Sequence, residues 1–202
     1  MNERLSEETY KGIKVYALSQ MARLKNANHN DAHVIRVKNN ALKIVRILGI
    51  ENEVDENLLK IISLLHDFTY TVRKPSIYTY IFEGHIERRI IREVLGKFDL
   101  SEEIKKVVID AVFHHTHSFP FGRLNKNRDV YTKVLQDADT LDFFNCLRIK
   151  TYMIENNKGF FKDIRNKLSS KLIEYGINNL EKFLNYPILA KSFFTDSSKK
   201  CI

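Results

Sequence analysis

A chain of 202 residues with 44% apolar content is long enough for one buried core and short for two, and no apolar run approaches the roughly 20 residues that span a bilayer. The net charge of +8 is spread along the chain and forms no single basic stripe, which argues against a nucleic-acid interface and suits a solvated surface or a small phosphorylated ligand. Glu3, Glu7 and Glu8 break the basic-then-apolar order of a signal peptide, so the protein is expected to be cytoplasmic; Cys146 and Cys201 are far apart and lack metal-finger spacing, so neither a disulfide framework nor a thiolate zinc site is expected.

Gly (7) and Pro (3) are scarce, and apolar residues recur at three and four, which predicts an all-α bundle of about seven or eight helices without significant strands. Ser6 with Glu7 and Glu8 caps a first helix to about Lys25. Asn30 or Asp31 starts a second, ended by Gly49, whose stripe Val34, Val37, Ala41, Ile44, Val45, Leu48 places His33 at the core-facing edge. A third, about Asp55 to Tyr70, carries Leu58, Leu59, Ile62 and Leu65 into His66-Asp67. Thr71 to Ser76 reads as a basic loop, and a fourth helix runs from about His85 to Leu95. Ser101, Glu102 and Glu103 cap a fifth, whose stripe Ile104, Val108, Ala111 leads to His115. Thr116 to Asn127 is the longest predicted loop. Asp129 caps a long sixth helix to about Asn156 bearing Asp137, Asp139 and Asp142. Gly159 to Phe194 holds two more helices, and Thr195 to Lys200 is a frayed tail. The expected organisation is one domain over 1–202, its motif-bearing part about 29–145, with C-terminal helices over 159–194 packing on it.

All seven histidines lie between His29 and His117. In order, His33, His66-Asp67, His85, His114-His115 and Asp139 are the imidazoles and carboxylates that bind a divalent metal through nitrogen and oxygen. His66 and Asp67 project about 100° apart on a helix, so both reach one ion only where the helix end abuts it. His33 and Asp139 must then arrive from two other helices, completing a set of two imidazoles and two carboxylates inside a bundle.

The order His33, His66-Asp67, Asp139 resembles the signature of the HD-domain superfamily of metal-dependent phosphohydrolases. His33-Val34-Ile35-Arg36-Val37 is similar to the family's His-x-x-Arg-Val start, Leu64-Leu65-His66-Asp67 to its apolar-His-Asp run, and Gln136-Asp137-Ala138-Asp139-Thr140-Leu141-Asp142 to its closing Asp-Ala-Asp-x-Leu-Asp helix. The resemblance covers about residues 29 to 145. It implies that His33, His66, Asp67 and Asp139 hold one divalent metal (Mn, Fe, Zn, Mg, or Ni or Co in vitro), with Asp137 and Asp142 supporting them. His85, His114 and His115 resemble the extra histidines of relatives that hold a second ion. His29 and His117 are not expected among the ligands.

Departures from the pattern are Phe68-Thr69-Tyr70 where many relatives carry an Ile-Gly turn, no acid at Tyr70 or Thr71, and Thr140 in place of a common arginine. Catalysis is therefore expected to rest on the metal and Asp67, with His85, His114 or His115 stabilising charge or protonating the leaving oxygen. Arg36, Arg73, Lys74 and Arg123 are candidate phosphate contacts, with Asp142 as an alternative partner for Arg36. Phe68, Tyr70, Phe119 and Phe121 are candidates to stack on a base, with packing as the alternative role.

The expected function is hydrolysis of a phosphoester or phosphoanhydride of a small nucleotide-like substrate, with no membrane or nucleic-acid partner and a homodimer left open. Alternatives are a cyclic-nucleotide or dinucleotide phosphodiesterase, a di-iron oxygenase, and a non-catalytic nucleotide sensor.

Overall fold

The computed structural model describes residues 4–24, 29–74, 76–115, 129–156 and 162–193. The loop expected over Thr116 to Asn127, with His117, Phe119, Phe121 and Arg123, lies outside the described residues, as does the tail from Thr195. Within them every regular element is helical.

Side chains that accept orphan N–H groups start the helices. Ser6 Oγ accepts from Thr9 N at α1 (Glu7–Met21), and Asn30 Oδ1 accepts from His33 N at 3.1 Å at α2 (Asp31–Leu48). Gly49 closes α2 in the left-handed conformation, φ 66, where a Cβ would be strained. Asp55 caps α3 (Glu56–Leu65) by accepting from Asn57 and Leu58, and its other oxygen takes Leu5 N. Helix α3 buries Leu58, Leu59, Ile61, Ile62, Ser63, Leu64 and Leu65; an apolar face this wide belongs at the centre of a bundle, and α1, α2, α5 and α6 pack on it. Each such Leu or Ile contributes about 1.5–3 kcal/mol of burial.

Three element boundaries differ from expectation. The third helix stops at Leu65, and Phe68–Thr71 forms a 3-10 turn. Helix α4 (Ile77–Leu95) begins about two turns before His85, because Ser76 Oγ caps Thr79 N and Thr79 Oγ1 donates to the Lys74 carbonyl. Its first turns expose Tyr78, Ile81 and Phe82, which conceals the helical period in the sequence. The long sixth helix is two: α6 (Val130–Phe143), capped by Asp129, and α7 (Cys146–Asn156). Asn145 turns the chain between them, its N–H on the Asp142 carbonyl and its Oδ1 accepting from Leu147 N.

Helix α5 (Glu102–His115) packs on α3, α4 and α6. Its contact with α4 is close: a Cβ at Gly84 would sit 2.7 Å from the Phe113 carbonyl oxygen, so only glycine fits. Helices α8 (Lys162–Asn178) and α9 (Leu189–Phe193) complete the described chain. The C-terminal segment is fixed to α6 by buried Asp137, whose carboxylate accepts from Asn185 N, Asn185 Nδ2 and Tyr186 N at 2.7–2.9 Å.

One cysteine expectation is corrected: Cys146 is disulfide-bonded, and chain distance alone did not exclude that. No helix among the described residues is long and apolar enough to cross a membrane.

Candidate metal centre

Four side chains from α2, the end of α3 and α6 converge in the interior. His33 Nε2 lies 3.1 Å from His66 Nε2, 3.1 Å from Asp67 Oδ2 and 3.5 Å from Asp139 Oδ1. His66 Nε2 is 3.6 Å from Asp67 Oδ2 and 3.9 Å from Asp139 Oδ1. Donors at about 2.1 Å from one ion stand about 3.0–3.4 Å apart in octahedral or tetrahedral arrangement, so these separations suit a common cation. The end of α3 makes this reachable: Asp67 leaves the helix at φ -107, ψ 21, which turns its carboxylate back toward His66.

Hydrogen bonds fix both imidazoles in one tautomer. His33 Nδ1 donates to Asp142 Oδ2 at 2.7 Å, and His66 Nδ1 donates to the Ser63 carbonyl at 2.8 Å. Each Nε2 therefore presents a lone pair, and the two lone pairs face one another and two carboxylates at short range. Two imidazole nitrogens facing each other and two carboxylates at this range are an arrangement that a cation between them, a proton or a metal ion, would satisfy. Two nitrogens and two carboxylate oxygens are a donor set that could hold a divalent metal.

The electrostatics favour metal-competent states. Burial holds His66 down at about 4, neutral at ordinary pH. Burial works to raise Asp67, yet the surrounding His66, His29 and His115 keep it well below the usual carboxylate range. Asp139 is likewise held low against burial by Arg148, His33 and His66. His33 is raised: burial and Arg148 act to lower it, and Asp142 and Asp67 prevail.

A second ring surrounds this set. Arg36 Nε and Nη2 grip Asp142 bidentately at 2.7 and 3.1 Å, so Arg36 is directed at Asp142 and not at an open phosphate site. Arg148 Nη1 donates to Asp139 Oδ1 at 3.2 Å and lies 3.4 Å from Asp142 Oδ2. It reaches them only because the chain breaks at Asn145: on an unbroken helix, nine residues would put Arg148 about 180° from Asp139. His29 Nδ1 donates to Asp67 Oδ2 at 2.7 Å while its ring stacks on Tyr70 with centroids 4.0 Å apart, although His29 was not expected in the cluster.

The remaining histidines part company. His115 is buried, its Nδ1 on the Val112 carbonyl and its Nε2 3.8 Å from Asp67 Oδ1. Burial works to lower it, but Asp67, Glu87 and Glu83 push it up to about 10. His114 directs Nδ1 at the Asp110 carbonyl, and His85 is exposed with its ring edge-on to Phe113. Neither belongs to a group of three or more ligating side chains among the described residues. Instead, Glu83 and Glu87 of α4 reach His115, and all three are buried. Burial first, then the Asp67 and Asp139 charges, raise Glu83 to about 7, and burial with Glu83 raises Glu87. The sequence carried a signal for this pair, a Glu at i and i+4 on one helix face; nothing in it singled out Arg148. Arg73 and Lys74 are exposed where the 3-10 turn leads toward α4, and of the candidate stacking residues Phe68 and Tyr70 are buried.

A family model described as HD domain matches residues 30–143, more than half of the chain. No curated protein matches the sequence, and no solved structure does.

Proposed function

From the premise that this chain belongs to the HD domain family, we propose that it is a metal-dependent phosphohydrolase for a small nucleotide-like phosphoester or phosphoanhydride. The observation that carries the reading is the convergence of His33, His66, Asp67 and Asp139, with both imidazoles fixed by their neighbours. These four residues would hold the ion. When bound, a divalent cation supplies polarisation of a phosphoryl oxygen and a lowered pKa for attacking water, toward roughly 7.

The chain's own groups do the rest. Asp142 and the Ser63 carbonyl keep both imidazoles in the ligating tautomer. Arg148 holds Asp139 ionised and oriented, and buried Asp67 is kept ionised by the imidazoles around it. His29, donating to Asp67, holds that carboxylate in place from the outer side of the cluster. Arg73 and Lys74, exposed beyond the 3-10 turn, bind substrate phosphate, in keeping with the net charge of +8. Oxygenase chemistry was motivated by His85, His114 and His115 acting together, and the exposed position of His85 withdraws that motive.

The test is metal analysis combined with hydrolysis of a panel of nucleoside mono-, di- and triphosphates and cyclic dinucleotides by the metal-stripped, manganese-reloaded chain. Metal-dependent release of phosphate or pyrophosphate, lost in His66→Ala, supports the proposal. Tight nucleotide binding with every ester intact, or oxygen uptake by iron-loaded protein without phosphate release, contradicts it.

A further inference from the structure

A cleft of about 460 Å³ opens between α4 and α5. Its α4 wall carries Arg88 and Arg92, its α5 wall Lys105 and Lys106, and two acids, Glu102 and Asp110, line it with them. It lies away from the metal centre: Lys106 precedes His115 on α5 by nine residues, about 14 Å along a helix. Both acids already have partners. Asp110 Oδ1 is 4.0 Å from Arg88 Nη2, and Glu102 Oε1 accepts from Lys105 Nζ at 2.8 Å. Arg92 and Lys106 are exposed, and among the described residues neither side chain has an ion-pair or hydrogen-bond partner.

Local electrostatics oppose this grouping. Arg88 and Arg92, one turn apart on α4, repel each other. The C-terminal end of α4 favours Arg92, but Lys105 and Lys106 stand within the first five residues of α5, near a helix end that disfavours cations. Two of the cations are nevertheless held in place. The Arg88 guanidinium carbon lies 3.9 Å over the Phe113 ring, and the Lys105 side chain is 23% exposed and tied to Glu102. The walls are fixed too, because α4 and α5 meet closely at Gly84 and Phe113. Cations ordered before a ligand arrives lose little freedom on binding it.

We propose that this cleft is a second, anion-binding site that takes a diphosphate or triphosphate group, with Arg92 and Lys106 contacting it from the two walls and Arg88 completing the set. Unpartnered cations on facing helices call for a ligand with more than one anionic group, and arginine matches phosphate oxygens bidentately. The volume is that of a small-ligand site. No aromatic side chain lines the cleft among the described residues, so nothing there selects a base. The proposal goes beyond the metal-centre reading and does not depend on it.

The test uses the full chain stripped of metal on chelating resin, so that the metal centre takes no part. Calorimetric titration with inorganic pyrophosphate and tripolyphosphate is expected to show binding that weakens as salt rises, and both anions are expected to raise the thermal midpoint. Arg92→Gln with Lys106→Gln, two exposed positions whose change leaves the fold intact, is expected to weaken binding at least about tenfold. Arg73→Gln with Lys74→Gln is expected to retain it within about twofold. ADP binding equal to pyrophosphate assigns the site to the phosphate chain alone, and ADP at least about tenfold tighter assigns the source to a nucleotide; either supports the site. No binding of pyrophosphate or tripolyphosphate by the wild type, unchanged affinity in the Arg92 and Lys106 variant, or citrate bound as tightly as tripolyphosphate overturns it.

Discussion

Substituting Asp142→Asn isolates the device that sets the first site's chemistry. Asp142 is fully buried and receives His33 Nδ1 at 2.7 Å, Arg36 Nε at 2.7 Å and Arg36 Nη2 at 3.1 Å, with Arg148 Nη1 at 3.4 Å. Asparagine keeps the shape but replaces one acceptor oxygen by an NH2 group, and donors approach both oxygens. Whichever way the amide turns, an N–H confronts an N–H, and two guanidinium groups lose a buried counter-charge. Breaking a buried ion pair costs about 3–5 kcal/mol. Arg36 is 25% exposed, so water recovers part of its share and the expected loss of unfolding free energy is at the lower end, about 3 kcal/mol. A carboxylate behind a ligating imidazole is worth about 10–100-fold in metal affinity, or about 1.4–2.7 kcal/mol. Urea unfolding of the metal-free protein and manganese titration by calorimetry measure the two effects. A variant within about twofold of wild-type affinity refutes the argument that Asp142 fixes His33 as a ligand.

Other consequences are checkable by the same means. Arg148→Ala removes the guanidinium that donates to Asp139 Oδ1, while Asp142 keeps Arg36, so the metal-free chain is expected to lose about 3 kcal/mol by urea unfolding, with part of the loss restored by Arg148→Lys; an unchanged midpoint contradicts this. Gly84→Ala drives a methyl against the Phe113 carbonyl at 2.7 Å and is expected to cost about 1–3 kcal/mol by urea unfolding; an unchanged midpoint contradicts this. Metal-free stability is expected to fall as pH rises from about 6.5 toward 9. His115, raised from 6.5 to about 10, contributes stability that is complete below 6.5 and lost as pH passes upward through 10. Glu83, raised from 4.5 to about 7, binds its proton more firmly folded than unfolded, so its contribution also declines between those values. His66, lowered from 6.5 to about 4, acts oppositely and offsets Glu83 below 6.5, which places the net decline above that pH. A denaturation midpoint in chelator that holds steady or rises over this range counts against the assigned burial of these groups.

The sequence made the helical class legible because Gly and Pro are rare and the stripes on the second, third and fifth helices are regular. The first-site residues were legible through a spacing of chemically unusual residues: a His-Asp pair at a helix end, a His near one N-terminus and an Asp late in another helix. Side chains that work through tertiary contact were not. Arg148 looks like any helical arginine until Asn145 breaks the helix and turns it toward Asp139. His85 stood out because it is a histidine, whereas the Glu83 and Glu87 flanking it resemble ordinary surface charge in a helix whose exposed Tyr78, Ile81 and Phe82 disguise which face is inward. His29 precedes the helix that bears His33, and only the fold shows that it folds back to meet Asp67 at 2.7 Å.

A crystal structure of the manganese-loaded chain, with anomalous scattering recorded, tests the central claim most directly. The account predicts an anomalous peak within about 2.3 Å of His33 Nε2, His66 Nε2, Asp67 Oδ2 and Asp139 Oδ1 together. A peak that leaves out two or more of these atoms, or none near them at saturating manganese, contradicts it.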